Sequence, residues 1–362
     1  MSSPPAVALE SRAAIRLRNF VASGVVVAGS CAAYAMQPGH QSKLVLLNGG
    51  PAFSFTGMQF LVVAAIAYLT VLGVYYAAEG DPSTSKSVVF LRVVSAFLRS
   101  PAALVRRGLL GDERLAVLST LLKAFFAPIM AVSLMRFTMG SLDNGWAMVA
   151  GGALDADFAH TFNRYGFWLA MQTILFVDVL LFTVGYLVEL PALKNEIRSV
   201  DPSLLGWTAA LLCYPPFNGI TSRVLGYQAS DFPHFDNPTA HVLLNIVLLV
   251  LMGVYASASV ALGFKASNLT HRGIVERGPY AVIRHPAYTC KNMAWWIGSV
   301  PLVSAAFSQS WFSGILALGT VVGWTMLYIL RAITEEDHLR SVDGAYAAYA
   351  ERVRYRFVPG LV

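Results

Sequence analysis

Long apolar runs, separated by short stretches that hold nearly all of the charge, confine this chain to one kind of environment. Runs over 20–36, 58–78, 115–135, 166–188, 204–220, 241–263, 293–307 and 311–333 are apolar over most of their length. A helix of about 20 such residues crosses the hydrocarbon core of a bilayer. Composition points the same way: 13% of the residues are charged and 56% hydrophobic, where a soluble domain carries about 25% charge. The expectation is an all-α, polytopic transmembrane bundle of about eight spans. The runs at 20–36 and 293–307 are short. Ser308-Gln309-Ser310 separates the last two runs by a tight polar turn, which predicts a C-terminal helical hairpin.

Charge placement gives the orientation. The net charge of +6 is modest and reads as loops facing anionic lipid, with no nucleic-acid partner. Arg12, Arg16 and Arg18 precede the first run, which lacks a small-residue cleavage site and is expected to be retained. Lys86, Arg92, Arg99, Arg106, Arg107 and Arg114 fill the loop after the second run. Lys194 and Arg198 follow the fourth, and Lys265, Arg272, Arg277, Arg284 and Lys291 follow the sixth. The alternate loops hold only Lys43, Arg136, Arg164 and Arg223. Lys and Arg collect on the cytoplasmic side, so both termini are expected there, in a membrane of bacterial inner type. Within the second loop, 88–98 is too short to span and reads as an interfacial amphipathic helix, with a re-entrant segment as the alternative. The 143–164 stretch, acidic and Gly-rich, reads as a far-side loop without assigned function. Cys31, Cys213 and Cys290 lie far apart with no CxxC, against a disulfide framework and a zinc site.

Two polar features interrupt the runs. Asp178 stands mid-run, where a carboxylate costs a few kcal/mol unless it faces the bundle or a cavity. It either lines a pocket or makes an interhelical hydrogen bond. Pro215-Pro216 breaks the fifth run, and the broken backbone must be buried in protein or line a cavity, which reads as a simple kink with a ligand site as the alternative.

The most informative stretch is 272–288, RGIVERGPYAVIRHPAY, followed after the hairpin by Glu335-Glu336-Asp337-His338. Gly278-Pro279-Tyr280 reads as a turn. Pro286 suits the first position of a helix, so amides near Arg284 and His285 make an anion site. Tyr280 and Tyr288 suit stacking on a planar base or facing a cation. Glu335 and Glu336 suit ribose hydroxyls or an ammonium. A hairpin returns the chain to the same membrane face, so the two blocks are expected to form one cytoplasmic cofactor site.

These two blocks resemble the C-terminal signature of the isoprenylcysteine carboxyl methyltransferases and their phospholipid methyltransferase relatives, integral membrane enzymes that use S-adenosylmethionine. Gly278, Pro279, Tyr280, Arg284, His285, Pro286 and Tyr288 match its GPY and RHPxY units. Glu335, Glu336, Leu339, Gly344, Tyr346, Tyr349 and Pro359 match the segment that follows. The resemblance covers residues 262 to the end, so 241–362 is expected to be the catalytic region and 1–240 an N-terminal region without assigned function. It implies cofactor contacts from Tyr280, Arg284, His285, Tyr288, Glu335, Glu336 and Tyr349. Two departures stand out: Cys290 replaces a small Gly, and Arg352-Val353-Arg354 replaces Arg-Val-Pro with Pro359 displaced.

The implied reaction is in-line methyl transfer, in which the protein chiefly orders donor and acceptor. An amine or hydroxyl acceptor needs a base, for which Glu335 or Glu336 is the candidate. Arg352 is the candidate for steering a carboxylate, and Asp178 for lining the acceptor pocket. The acceptor expected is a lipophilic molecule or lipidated substrate entering from the bilayer. A membrane NADPH-dependent sterol-type reductase and a non-enzymatic lipid transporter are the alternatives; no inverted repeat supports the second.

Overall fold

The structure, a computed structural model, describes residues 11–37, 43–46, 53–150, 157–225 and 229–361. Helix makes up 77% of it, and the strands among the described residues are four short pieces. The fold is an all-α polytopic bundle. It divides into two compact units, one of Met1–Gln41 with Thr56–Pro128, the other of Ser42–Phe55 with Ile129–Val362. The unit that holds both motif blocks therefore begins well upstream of residue 240.

In the first unit, α1 (Arg12–Ala35) packs against α2 (Gly57–Ala78) and α3 (Lys86–Arg99). Ser11 caps α1, and a reciprocal Thr56–Gln59 capping box starts α2. Asn19, buried on α1, donates to the Ser83 carbonyl at 2.7 Å and accepts from the Ser85 amide at 3.0 Å, which fixes the approach to α3. The 14 residues of α3 are too few to span, and its Val88 and Val93 are buried while Arg92 and Arg99 are exposed. A short helix α4 (Pro101–Arg107) follows. Helix α5 (Gly111–Ala150) continues into the second unit. It runs through residues expected in a loop: the Asn144 side-chain amide donates to the Gly140 carbonyl one turn back at 2.7 Å, and nothing stops the helix before Ala150. Residues 151–156 of that expected loop lie outside the described residues.

The second unit contains α6 (Phe158–Thr161), a π-helical turn, α7 (Phe167–Leu187), α8 (Leu204–Leu211), α9 (Asn218–Leu225), α10 (Pro238–Leu262), α11 (Pro286–Gln309), α12 (Trp311–Val342) and α13 (Ala345–Arg352). Strands β1 (Lys43–Leu46) and β2 (Phe53–Thr56) form one ribbon, β3 (Ser199–Val200) and β4 (Thr270–His271) another. Helix α10 packs between α7 and α11, and α11 packs on α12 as the expected hairpin, with Ser310 capping α12. The core follows helical spacing: Phe167, Met171 and Leu175 on α7 meet Leu248 and Met252 on α10 and Ala294 on α11.

Among the described residues five helical stretches are long and apolar enough to cross a membrane: Gly57–Ala78, Gly111–Ala150, Phe158–Leu187, Pro238–Lys265 and Trp311–Val342. Helices α1 and α11, 24 residues each, match a bilayer in length but are more polar. The run at 204–220 is not one continuous helix. It forms α8 and α9, eight residues each, because Pro215 and Pro216 cannot donate to a helical ladder. Thr221 Oγ1 donates to the Leu212 carbonyl at 2.9 Å and so satisfies a group the break sets free.

One face of this unit gathers the site. Antiparallel pairing of Ser199 with His271 joins the chain before α8 to the chain after α10. The end of α7 lies there too: a Cβ on Gly185 would sit 2.1 Å from the Ala266 carbonyl oxygen, so only glycine allows the approach. Arg272, expected as a loop cation, is instead buried and pins this junction by donating to the Asn195 and Gly185 carbonyls at 2.6 and 2.8 Å.

Candidate functional site

Gly278, at φ +61°, opens a single 3-10 turn through Ala281, and the turn delivers Arg284 and His285 to the start of α11 at Pro286. Across the hairpin, Glu336 on α12 has no exposed surface. Its Oε1 accepts from Arg284 Nε at 2.9 Å, His285 Nε2 at 3.1 Å and Arg356 Nε at 3.0 Å. Its Oε2 accepts from Arg356 Nη2 at 2.9 Å and Arg340 Nη2 at 3.0 Å. The sequence reading put Glu336 and His285 at the membrane surface with lone pairs or protons for a ligand; the structure buries both and joins them to each other. The bonds to Glu336 also hold the Arg356 guanidinium above its ordinary range, against burial.

The tail completes this knot. Arg284 Nη1 donates to the Val353 and Arg354 carbonyls, both at 2.9 Å. The amides of Arg284 and His285 donate to the Tyr355 and Arg356 carbonyls at 3.0 Å. The anion site expected from those amides is therefore taken by the chain's own backbone.

The other predicted residues lie around the knot. The Tyr288 ring stacks on His285 at 5.5 Å, and its hydroxyl donates to Glu335 Oε2 at 3.0 Å. Glu335 remains exposed. Tyr349, buried with Tyr346 and Val353, donates to the Tyr280 carbonyl at 2.9 Å. Burial pushes both the Tyr280 and Tyr349 phenols well up, so they act as fixed hydrogen-bonding groups. Arg352 is exposed, pairs with Glu276, and lines neither of the two cavities described next.

The larger cavity, about 340 Å³, is walled by Asp178, Tyr255, Lys291, Trp295, Trp324 and Tyr328, with Cys213 and Tyr214 at one side. Asp178 accepts from the α10 hydroxyls Tyr255, at 2.7 Å, and Ser259, so one carboxylate both lines the cavity and joins α7 to α10. Lys291 had been counted with the loop cations. It sits on α11 in the cavity wall, 2.8 Å from Asp231 and 5.4 Å from the Trp295 ring centre. The smaller cavity, about 20 Å³, lies on the motif side and is lined by Asp201, Gly206, Tyr288, Arg331, Glu335 and His338, among others. Tyr288 and Tyr328 meet edge to face, and the Arg331 guanidinium stands 5.1 Å from each ring centre, held by Asn268 Oδ1 at 2.8 Å. This aromatic and cationic layer lies between the two cavities.

Sequence reasoning missed Lys291, Tyr255, Arg331 and Asp201. Two signals were available. Tyr288, Lys291 and Trp295 follow the i, i+3, i+7 spacing of one helix face. Arg331 is an ionisable residue at the end of an apolar run, which by default faces the protein. Asp201 and Tyr255 carried no such mark.

The donor set offers the Lys291 ammonium, which also pairs with Asp231, and the buried Arg331 guanidinium to an anion, and carboxylates and phenols to hydroxyl or amine groups. Among the described residues no group of three or more His, Cys, Asp or Glu is placed to hold a metal ion. Neither the curated proteins nor the solved structures provide a match to the chain. Residues 145–353, which contain Asp178, Asp201, Lys291, His338 and the Arg284–Glu336 pair, match the family model described as protein of unknown function (DUF1295). That match spans more than half of the chain, and the chain belongs to this family, which is associated with steroid 5-alpha-reductase-like membrane proteins.

Proposed function

We propose that this chain is an integral membrane methyltransferase that takes its methyl group from S-adenosylmethionine and passes it to a lipophilic acceptor. The observation that carries the reading is the pair of cavities on either side of the Tyr288–Arg331–Tyr328 layer. One lies among apolar helices, where an acceptor enters from the bilayer. The other lies among the motif residues, on the face where Lys and Arg collect, which makes it cytoplasmic. The donor residues present suit a nucleoside: an exposed carboxylate at Glu335 and buried polar atoms on Asp201 and His338. The smaller cavity admits one hydroxyl-sized group, so the rest of such a cofactor lies outside it.

When bound, the donor supplies a methyl group already activated on a sulfonium. The chain's own residues position and select. The Arg284–His285–Glu336 knot fixes α11 against α12 and so sets Tyr288 relative to Arg331. Lys291 attracts a carboxylate acceptor within the cavity, a role the sequence reading gave to Arg352. Asp178, bonded to Tyr255, is the group able to take a proton from an amine acceptor.

The family association favours a second reading, an NADPH-dependent reductase with the acceptor cavity holding a sterol-like substrate. Thermal stabilisation of the detergent-purified chain by S-adenosylhomocysteine and by NADPH separates the two, together with transfer of labelled methyl from S-adenosylmethionine into a membrane lipid extract. Stabilisation by S-adenosylhomocysteine with label transfer supports the methyltransferase. Stabilisation by NADPH alone, without transfer, replaces it with the reductase.

A further inference from the structure

The smaller cavity contains an arrangement that neither the family match nor the motif accounts for. Asp201 stands between β3 and α8, and His338 lies near the end of α12. Both are more than nine-tenths buried. Asp201 Oδ1 accepts from the Ser203 amide at 2.8 Å, and His338 Nε2 lies 3.1 Å from Ser199 Oγ. Their remaining polar atoms, Asp201 Oδ2 and His338 Nδ1, are buried and have no hydrogen-bond partner among the described residues. Two such atoms on the wall of one cavity are unusual, because buried polar atoms are almost always bonded.

The backbone makes room for this carboxylate. A Cβ on Gly206 would lie 1.9 Å from Asp201 Oδ2, so a residue with a side chain there would displace it. The Oδ2 atom therefore faces a bare Cα on the cavity wall. The volume of about 20 Å³ suits one hydroxyl or one water. The charge narrows the choice. A phosphate or carboxylate would meet Asp201 with like charge, whereas a hydroxyl donates to it. Tyr288, Arg331 and the exposed Glu335 border the same space, so a hydroxyl placed here would belong to a molecule that continues past Glu335.

We propose that Asp201 and His338 form a hydroxyl-binding subsite for the ribose of a nucleoside cofactor, with Asp201 Oδ2 accepting from a sugar hydroxyl and His338 Nδ1 bonding the same or the adjacent oxygen. The proposal rests on the cofactor reading above and names the residues that hold the sugar. The sequence offers Glu335 and Glu336 for that task; Glu336 is fully engaged by the side chains of Arg284, His285, Arg340 and Arg356.

Calorimetry on the full chain in detergent tests it, with S-adenosylhomocysteine and its 2′-deoxy and 3′-deoxy analogues as probes and NADPH in parallel. Asp201→Asn keeps the shape and the acceptor for Ser203. It should weaken S-adenosylhomocysteine binding roughly ten- to a hundredfold, the range expected for a hydrogen bond to a charged group. One deoxy analogue should bind the wild-type chain more weakly by a similar factor, and Asp201→Asn should no longer distinguish that analogue from the parent. His338→Phe provides the same comparison if Asp201→Asn does not fold, and ligand-free melting temperatures show which variants are intact. Unchanged affinity in a folded variant would overturn the subsite and leave a buried structural water as its only occupant, while the methyl-donor reading stood. Binding of NADPH but not S-adenosylhomocysteine would remove the methyl donor, and the Asp201→Asn comparison would then be read with NADPH. Binding of neither by the wild-type chain would overturn both.

Discussion

Glu336 is the residue whose role most changes between sequence and structure. As the hub for Arg284, His285, Arg340 and Arg356 with no exposed surface, it cannot be neutralised without leaving buried cations unpaired. Removing one partner of a buried ionic network costs about 3–5 kcal/mol. Glu336→Gln should therefore lower the melting temperature and yield sharply, whereas Glu335→Gln, at an exposed position, should leave the melting temperature nearly unchanged and weaken cofactor binding. A Glu336→Gln protein that melts like the wild type would disprove the hub. The motif was legible because its residues are spaced locally; the hub was not, because Arg356 reaches Glu336 from a tail with no periodic relation to α12. Lys291 supports a different prediction. Lys291→Gln should raise KM for a carboxylate acceptor by about tenfold or more while changing kcat less, the pattern of lost ground-state binding. Equal KM in the variant would exclude Lys291 as the anchor. His271 adds a pH dependence. It is buried beside Asp343, with Nε2 2.8 Å from Oδ2. Burial pushes its pKa down, and Asp343 only partly restores it. Below its ordinary value near 6.5 the unfolded chain binds the proton more readily, so stability is lost as pH falls from about 6.5 toward the lower folded value. Melting curves from pH 7.5 to 5 should show this fall, and His271→Gln should flatten it.

At the level of elements, helices read from apolar runs appear where expected, and the exceptions have local causes. The run at 204–220 became two helices because adjacent prolines remove two donors from the ladder. The topology still asks this pair to travel far. Strand β3 precedes α8, β4 follows α10, and the two strands pair. Helix α10 is 25 residues long, or about 37 Å. The α8–α9 segment must therefore carry the chain along the length of α10 so that α10 can return it. A window of apolar residues shows that a segment is buried, but not that it is broken. The C-terminal tail is the element the sequence described least well. Its carbonyls at 355 and 356 accept the amides that begin α11, the Phe357 carbonyl accepts from Thr289 Oγ1 at 3.1 Å, and Arg356 reaches Glu336. Deletion of residues 354–362 should destabilise the unit as strongly as Glu336→Gln and abolish cofactor-dependent stabilisation. Retained stabilisation in the truncated chain would show that the tail only decorates the site.

At the scale of the molecule, the second unit alone fixes which parts share a membrane face. The Ser199–His271 pairing, the bond between His338 and Ser199, the bond from Arg331 to Asn268 and the Arg284–Glu336 knot bring together the chain before α8, the chain after α10, the start of α11 and the end of α12. All of these places therefore share one side, whatever that side is. The same face carries Lys194, Arg198, Lys265 and Arg277, and on this charge asymmetry we propose that it faces the cytoplasm. Burial of Arg272, and the pairing of Lys291 with Asp231, remove two cations from that face. The asymmetry survives, because the opposite loops contain few cations. Single cysteines at Arg277 and Arg354, in a chain with Cys31, Cys213 and Cys290 replaced by Ala, should both be protected from a membrane-impermeant thiol reagent in intact cells. Both should react after permeabilisation. Because the internal contacts tie the two positions to one face, the structure requires them to behave alike. Labelling of both in intact cells would reverse the orientation and place the proposed cofactor site outside the cytosol, which neither S-adenosylmethionine nor NADPH chemistry could accommodate. Labelling of one without the other would contradict the fold of the unit itself.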